Sequence, residues 1–215
     1  MNRKERLSSC RLYGIVDTGY TAEHQLLSVT EKLLEGGLGI LQLRAKNHGP
    51  EFIEQMGKQL APLCRRHGCL FIINDYPEIA LRTGADGVHL GQDDGVLAPV
   101  RAMLGEEAII GRSTHSPEQA LGAFREQADY IGFGPLFPTG TKPGRPAIGL
   151  NDIASVQQQL PEGFPVFCIG GITGETLPSV LKAGAGRIVI VSWLLEQPDI
   201  TGTVKALRKR LGEAS

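Results

Sequence analysis

Asp75, Asp93 and Asp94 stand at the ends of two apolar runs joined by one short helical pattern. The stretch is F-I-I-N-D-Y-P-E-I-A-L-R-T-G-A-D-G-V-H-L-G-Q-D-D, from Phe71 to Asp94. Parallel strands joined by a helix bring their C-terminal ends to one face. The pattern therefore aims Asp75 and Asp94 at one place. Paired carboxylates there suit a hard cation, because magnesium takes one or two carboxylates and completes its shell with water and phosphate oxygens. The same spacing also serves helix caps, Asp75 before a helix at Pro77 and Asp94 before one near Val96. Local spacing does not choose between the two.

Further polar groups follow other apolar runs. Gln42-Leu43-Arg44-Ala45-Lys46 brings a planar guanidinium fork and a mobile ammonium, a pairing suited to phosphate oxygens. Gly111 to Ser116 (G-R-S-T-H-S) places Ser113 at a strand end and His115 in a loop, where His115 can serve as a general base. No serine–histidine–acid triad is readable. His89 falls inside a strand and reads as a hydrogen-bonded core residue. Gly134 to Pro146 is a long loop rich in glycine and proline that carries Thr139, Thr141 and Lys142, a composition that suits a lid. Ile169-Gly170-Gly171-Ile172-Thr173 and the later Val191-Ser192 combine glycines with backbone N–H groups, which suits a phosphate. Two anion sites are thus legible, and one monophosphate does not need both.

The elements that must position these groups alternate strictly. Strands are expected at Leu12–Val16, Ile40–Leu43, Leu70–Ile73, Gly87–Leu90, Ala108–Gly111, Tyr130–Phe133, Val166–Ile169 and Ile188–Val191. Helices are expected near Ala22–Glu35, Glu51–His67, Pro77–Thr83, Val96–Leu104, Pro117–Gln127, Leu150–Gln159, Glu175–Ala183 and Ile200–Leu211. Three segments, Gly84-Ala85-Asp86-Gly87, Ala128-Asp129-Tyr130 and Gly184-Ala185-Gly186-Arg187, repeat a helix stop that feeds a strand. Eight βα units imply a single (βα)8 TIM-barrel domain over residues 1–215, with an open doubly wound sheet as the alternative. A barrel places function at the C-terminal ends of its strands.

Composition narrows the class. The 215 residues are 41% hydrophobic and 21% charged, with a net charge of −1, so no global basic field favours nucleic acid or an anionic membrane. The terminal basic runs (Arg3, Lys4, Arg6; Lys205, Arg208, Lys209, Arg210) read as solvated faces. The longest strongly apolar run, Ile188 to Leu195, is too short to span a bilayer, and no signal peptide is visible. Cys10, Cys64, Cys69 and Cys168 form no C-x-x-C pair. Cys64, His67 and Cys69 lie close together, but Gly68 reads as a helix stop between them. Reduced thiols in a cytoplasmic protein are the simpler expectation. Oligomeric state is not readable.

Taken in order, Y-G-I-V-D from Tyr13, Q-L-R-A-K, I-N-D, H-L-G-Q-D-D, P-T-G-T-K, I-G-G-I and V-S resemble the thiamine phosphate synthase (thiamine-phosphate pyrophosphorylase) family over nearly the whole chain. The resemblance implies a magnesium-dependent transferase of thiamine biosynthesis. It couples hydroxymethylpyrimidine pyrophosphate to a thiazole phosphate and releases pyrophosphate. It further implies that Gln42, Leu43, Arg44, Ala45, Lys46, Asn74, Ser113 and Lys142 hold the pyrimidine pyrophosphate, with Arg44, Lys46, Ser113 and Lys142 catalytic. Thr139, Thr141, Gly171, Val191 and Ser192 are implied for the thiazole phosphate, and Asp75 and Asp94 for magnesium. Two positions depart from the family pattern: Ala45, where many relatives carry glutamate, and Arg112, where many carry an aliphatic residue. Two rivals share the barrel. One is a thiazole tautomerase, which needs an acid/base such as His115 but neither magnesium nor pyrophosphate. The other is a non-catalytic phosphate-binding barrel.

Overall fold

A computed structural model describes residues 2–139 and 146–213. Eight parallel strands close a barrel in sequence order: β1 (Leu12–Asp17), β2 (Ile40–Arg44), β3 (Leu70–Asn74), β4 (Gly87–Leu90), β5 (Ile109–Thr114), β6 (Tyr130–Phe133), β7 (Val166–Cys168) and β8 (Ile188–Ile190). The helices are α1 (Arg3–Ser9), α2 (Leu26–Glu35), α3 (Pro50–Arg66), α4 (Pro77–Thr83), α5 (Ala98–Leu104), α6 (Pro117–Arg125), α7 (Ile153–Gln159), α8 (Leu177–Lys182), α9 (Ser192–Leu195) and α10 (Ile200–Arg210). The (βα)8 barrel is therefore the fold, and the open sheet is excluded by the β1–β8 pairing, which sets Leu12 opposite Ile188.

Alternation along the strands splits the apolar residues into two cores. Tyr13, Ile15, Ile40, Leu70, Ile72, Ile109, Tyr130, Phe167 and Val189 fill the barrel. Leu12, Val16, Leu41, Leu43, Phe71, Ile73 and their like pack outward against the helices. Gly111 belongs to the inner set for a steric reason: a Cβ there would lie 2.1 Å from the Tyr130 ring.

The repeated helix stop has a clear role in two of its three copies. Asp86 accepts the Phe71 N–H at 2.9 Å, and Asp129 accepts the Ile110 N–H at 2.8 Å. Each aspartate ties the turn before its strand to the strand alongside. Gly84 adopts φ +69° to end α4, the left-handed stop expected of a glycine at this position.

Two helices lie outside the expected pattern. Helix α1 has an Asn2/Glu5 capping box and drives Leu7 into the inner core at the bottom of the barrel. Its basic residues are partly exposed and also tie the helix to the barrel. Arg3 pairs with Asp86 at 2.8 Å, Lys4 with Asp129 at 3.0 Å, and Arg6 donates to the Gly68 carbonyl at 2.6 Å. The basic run at the other end fits the expectation better: Lys205, Lys209 and Arg210 are exposed, while Arg208 pairs with Glu213. The second unexpected helix is α9, a single turn directly after β8. The expected helix from Ala22 opens with a 3-10 turn, Glu23–Gln25, and that from Val96 starts at Ala98. All four cysteines are free and buried. No described helix is long and apolar enough to cross a membrane.

Candidate active site

A cleft of about 110 Å³ sits at the C-terminal mouth of the strands. Its floor is aromatic. Tyr13, Tyr130 and Phe167 meet edge to face, with ring centres 5.4 to 5.8 Å apart. One hydrogen-bonded chain crosses this floor from strand to strand. The Gln42 amide nitrogen donates to the Tyr13 hydroxyl at 2.8 Å, and the Tyr13 and Tyr130 hydroxyls lie 2.9 Å apart. Tyr130 reaches His89 Nδ1 at 3.0 Å, and His89 Nε2 reaches the Ser113 hydroxyl at 3.0 Å. Burial pushes both phenols well above their ordinary range.

Cations and carboxylates gather at the ends of β1 to β4. Arg44 ends β2 and bonds the buried Asp17 of β1 at 2.5 Å, across the register that sets the two residues opposite each other. Lys46, half exposed, pairs with Asp75. Asp75 follows β3 with φ +67°, a left-handed backbone that aspartate tolerates better than most residues. Its N–H bonds the His89 carbonyl at 2.9 Å, which holds this turn against β4. Asp94 folds back to accept the Gly91 N–H at 2.6 Å. Neither carboxylate caps a helix: α4 begins after Tyr76 and α5 after Leu97, both without a side-chain cap bond. The cap reading left open by spacing is thus removed for both. Two hard oxygen donors set on adjacent strand-end turns, neither committed to a helix end, suit magnesium.

The opposite wall is made of backbone. Gly170 (φ +101°) and Gly171 (φ +65°) follow β7. A Cβ on Gly170 would lie 2.5 Å from Pro135, and one on Gly171 would lie 2.7 Å from Phe137. The glycines therefore admit the loop after β6, whose Leu136 N–H bonds the Ile169 carbonyl at 2.9 Å and whose Phe137 N–H bonds the Gly170 carbonyl at 3.1 Å. After β8 the chain turns at Val191 directly into α9, so Ser192 begins a short extra helix. Glycines after β7 and such a helix after β8 match the arrangement in which these barrels commonly hold phosphate.

Among the residues expected to bind ligand, Gln42, Arg44, Asn74, Ser113, Thr139, Gly171, Val191 and Ser192 line this cleft. Lys46, Asp75 and Asp94 do not line it; they lie on the loops after β2, β3 and β4. Thr141 and Lys142 lie outside the described residues. Leu43 and Ala45 can face the cleft through their backbone only. They are 1% and 4% exposed and belong to the core between strands and helices. Period-two alternation turns their side chains away from Gln42 and Arg44, so Ala45 in place of glutamate does not alter the cleft wall. Arg112 also faces outward: it donates to the Gln92 carbonyl at 3.2 Å and lies 3.9 Å from Glu126. Sequence reasoning missed Asp17 and the aromatic floor. The available signal was the alternation itself, which puts Tyr13, Ile15 and Asp17 on one face of β1.

The fold and cleft together define a (βα)8-barrel protein whose working face is the C-terminal mouth of its strands. Residues 12–194 match the family described as thiamine monophosphate synthase. The chain belongs to that family. It is 45% identical to the thiamine-phosphate synthase of Thermus thermophilus over 94% of its own length and 97% of the relative's. It is 39% identical to that of Mycolicibacterium smegmatis, over 98% and 96% of the two chains. The solved thiamine phosphate pyrophosphorylase from Pyrococcus furiosus superposes with a TM-score of 0.84 at 32% identity, covering 96% of this chain and 97% of that one.

Proposed function

We infer that the protein is a thiamine-phosphate synthase, a transferase that joins hydroxymethylpyrimidine pyrophosphate to a thiazole phosphate and releases pyrophosphate. The observation that carries this reading is one cleft lined by Arg44 and Asn74 at the ends of β2 and β3 and by Gly170, Gly171, Val191 and Ser192 after β7 and β8. Arg44, paired with Asp17, stands on one side and the glycine backbone on the other, across an aromatic floor.

The tasks divide accordingly. Arg44, held by Asp17, presents a fixed fork to pyrophosphate, while Lys46 is the mobile partner. Asn74 and Gln42 supply polar contacts to the same substrate, and Ser113 contacts its ring. Lys142 would add a third cation. Gly171, Val191 and Ser192, with Thr139 and Thr141, receive the thiazole phosphate. Asp75 and Asp94 are the residues that would hold magnesium, which when bound neutralises charge developing on the departing pyrophosphate. The C–O bond to pyrophosphate breaks with its electron pair leaving on oxygen. The thiazole nitrogen lone pair then forms the new C–N bond to the pyrimidine methylene. No proton is removed and no protein nucleophile takes part. Electrostatic preorganisation and exclusion of water are the protein's contributions.

The test mixes purified protein with both substrates and follows pyrophosphate release with and without magnesium. Magnesium-dependent formation of thiamine phosphate is expected. Its absence overturns the reading, and isomerisation of the thiazole without coupling supports a tautomerase instead. Asp94→Ala is expected to lower turnover sharply and leave thiazole phosphate affinity nearly unchanged. Equal loss of both assigns Asp94 to its turn with Gly91 alone.

A further inference from the structure

We propose that the N-terminal end of the barrel carries a second anion site, built from Arg11 and Arg187 beside the seam that closes the barrel, and that it takes a phosphate-class dianion. The site lies at the opposite end of the strands from the cleft, so it stands apart from the synthase reading.

The place follows from the register. Strands β1 and β8 pair with Leu12 opposite Ile188, and the Ile188 N–H bonds the Arg11 carbonyl at 2.8 Å. Arg11 and Arg187, one residue before each of these, are therefore neighbours across the seam. Like charges set side by side across a strand pair are destabilising. Both arginines line one pocket of about 600 Å³, together with Arg208 and Glu213. A side chain at Gly37 would collide with Arg208, so glycine there admits this third guanidinium. Among the described residues, three guanidiniums in the pocket wall meet one carboxylate. That carboxylate is already committed. Glu213 accepts the Arg208 Nε–H at 2.7 Å, and the Arg11 and Leu12 backbone N–H groups at 2.5 and 3.1 Å.

The two seam guanidiniums bond only to carbonyls. Arg11 donates from Nη1 to Leu211 at 3.2 Å, and Arg187 from Nη2 to Ser8 at 2.8 Å. Among the described residues neither guanidinium pairs with a carboxylate. The Arg187 Nε–H is buried without a partner, and buried N–H groups rarely go unbonded. Burial and the Arg11 charge both hold Arg187 below its ordinary range, a condition that a bound anion relieves. Two unmatched positive charges fit a dianion better than a chloride, and guanidinium forks take phosphate oxygens in pairs. Occupancy offsets the Arg11–Arg187 repulsion where the last strand meets the first, so the barrel is more stable with the anion than without it.

The test is a titration of the whole protein, without substrates and at constant ionic strength, read by proton–nitrogen NMR correlation of backbone and arginine Nε–H signals. Inorganic phosphate is expected to shift the Arg11 and Arg187 Nε–H signals saturably in the millimolar range, together with the Gly37 and Gly186 amides. An equal response to sodium chloride shows screening only and overturns the proposal. Glycerol phosphate carries the same group on a larger molecule. Tighter binding of it assigns the site to a phosphorylated small molecule, tighter binding of inorganic phosphate assigns it to the free ion, and a response to neither overturns the site. Arg11→Gln is expected to weaken phosphate about tenfold here, the loss of one charge-assisted partner, whatever response Gly171 and Ser192 give at the other end. Arg187→Gln is the second variant, with the same expected loss. Unchanged affinity in either folded variant overturns the proposal. A protein without synthase activity can pass this test and an active synthase can fail it, so the two readings fall separately.

Discussion

Asp17→Asn should destabilise the protein far more than its conservative chemistry suggests. The Asp17 side chain is 2% exposed and that of Arg44 13%, so both ends of their 2.5 Å bond are withdrawn from water. The other Asp17 oxygen accepts the Gly19 N–H at 2.8 Å. Asparagine has one acceptor where aspartate uses two. If its oxygen stays on Gly19, its NH2 faces the guanidinium, donor against donor. If it flips, Gly19 loses its acceptor and meets a donor instead. Either way Arg44 loses the Asp17 charge, and breaking a buried pair from one side costs about 3–5 kcal/mol. For a chain of this length, that corresponds to a fall in Tm on the order of 10 °C. A thermal scan by circular dichroism reads it. Glu23→Gln is the control, because Glu23 is 64% exposed where it meets His48, and a pair of that kind is worth about 1 kcal/mol or less. The two variants should separate clearly. An Asp17→Asn melting point within about 1 °C of wild type, inside the range of ordinary surface substitutions, would refute the argument that this pair is buried and charge-matched.

Two further outcomes follow from the geometry. Gly170→Ala combines a backbone at φ +101° with a Cβ 2.5 Å from Pro135, so it should displace the loop after β6, lower Tm and weaken phosphate binding; unchanged Tm and phosphate affinity would show that the close approach is not required. Burial raises the Cys10 and Cys168 thiols from an ordinary 9.0 to about 12. A thiol whose folded value lies above its unfolded one adds stability below the unfolded value and loses it as pH climbs toward the folded one. Urea midpoints should therefore fall as pH rises above 9, and less steeply in Cys10→Ala; an identical slope in that variant would remove Cys10 from the account.

The barrel was legible because its strands are short, apolar on both faces and separated by helical patterns with glycine or proline at their ends. The inside and outside of those strands were not. A parallel strand buried on both sides carries no polar alternation to mark its faces, so Tyr13 and Tyr130 read like any core aromatics. Where one face does carry polar residues, as in Gln42 and Arg44 of β2, the alternation was present and excluded Leu43 and Ala45 as side-chain ligands. Long-range pairs were hidden for another reason. The partner of Arg3 is Asp86, 83 residues away, and that of Arg44 is Asp17, 27 residues away, and nothing in local spacing links either pair. Asp75 shows the reverse. Its position was legible, but its freedom from capping depended on a backbone angle that no spacing rule supplies.

The neutral floor has a chemical logic once the proposed reaction is granted. Loss of pyrophosphate before the new bond forms leaves a pyrimidine methylene cation, and any good nucleophile within reach would capture it ahead of the thiazole nitrogen. Phenolates at Tyr13 or Tyr130 would be such nucleophiles. Burial holds both as neutral phenols, and the hydrogen-bond chain occupies their oxygens on each side. The aromatic faces can still stabilise positive charge through their quadrupoles. The strand-end cations are meanwhile matched by carboxylates, Arg44 by Asp17 and Lys46 by Asp75. A site of this kind attracts a polyanion at its edge and keeps its interior inert. That separation, rather than any single residue, is what lets one cleft expel pyrophosphate and still reserve the resulting cation for the second substrate.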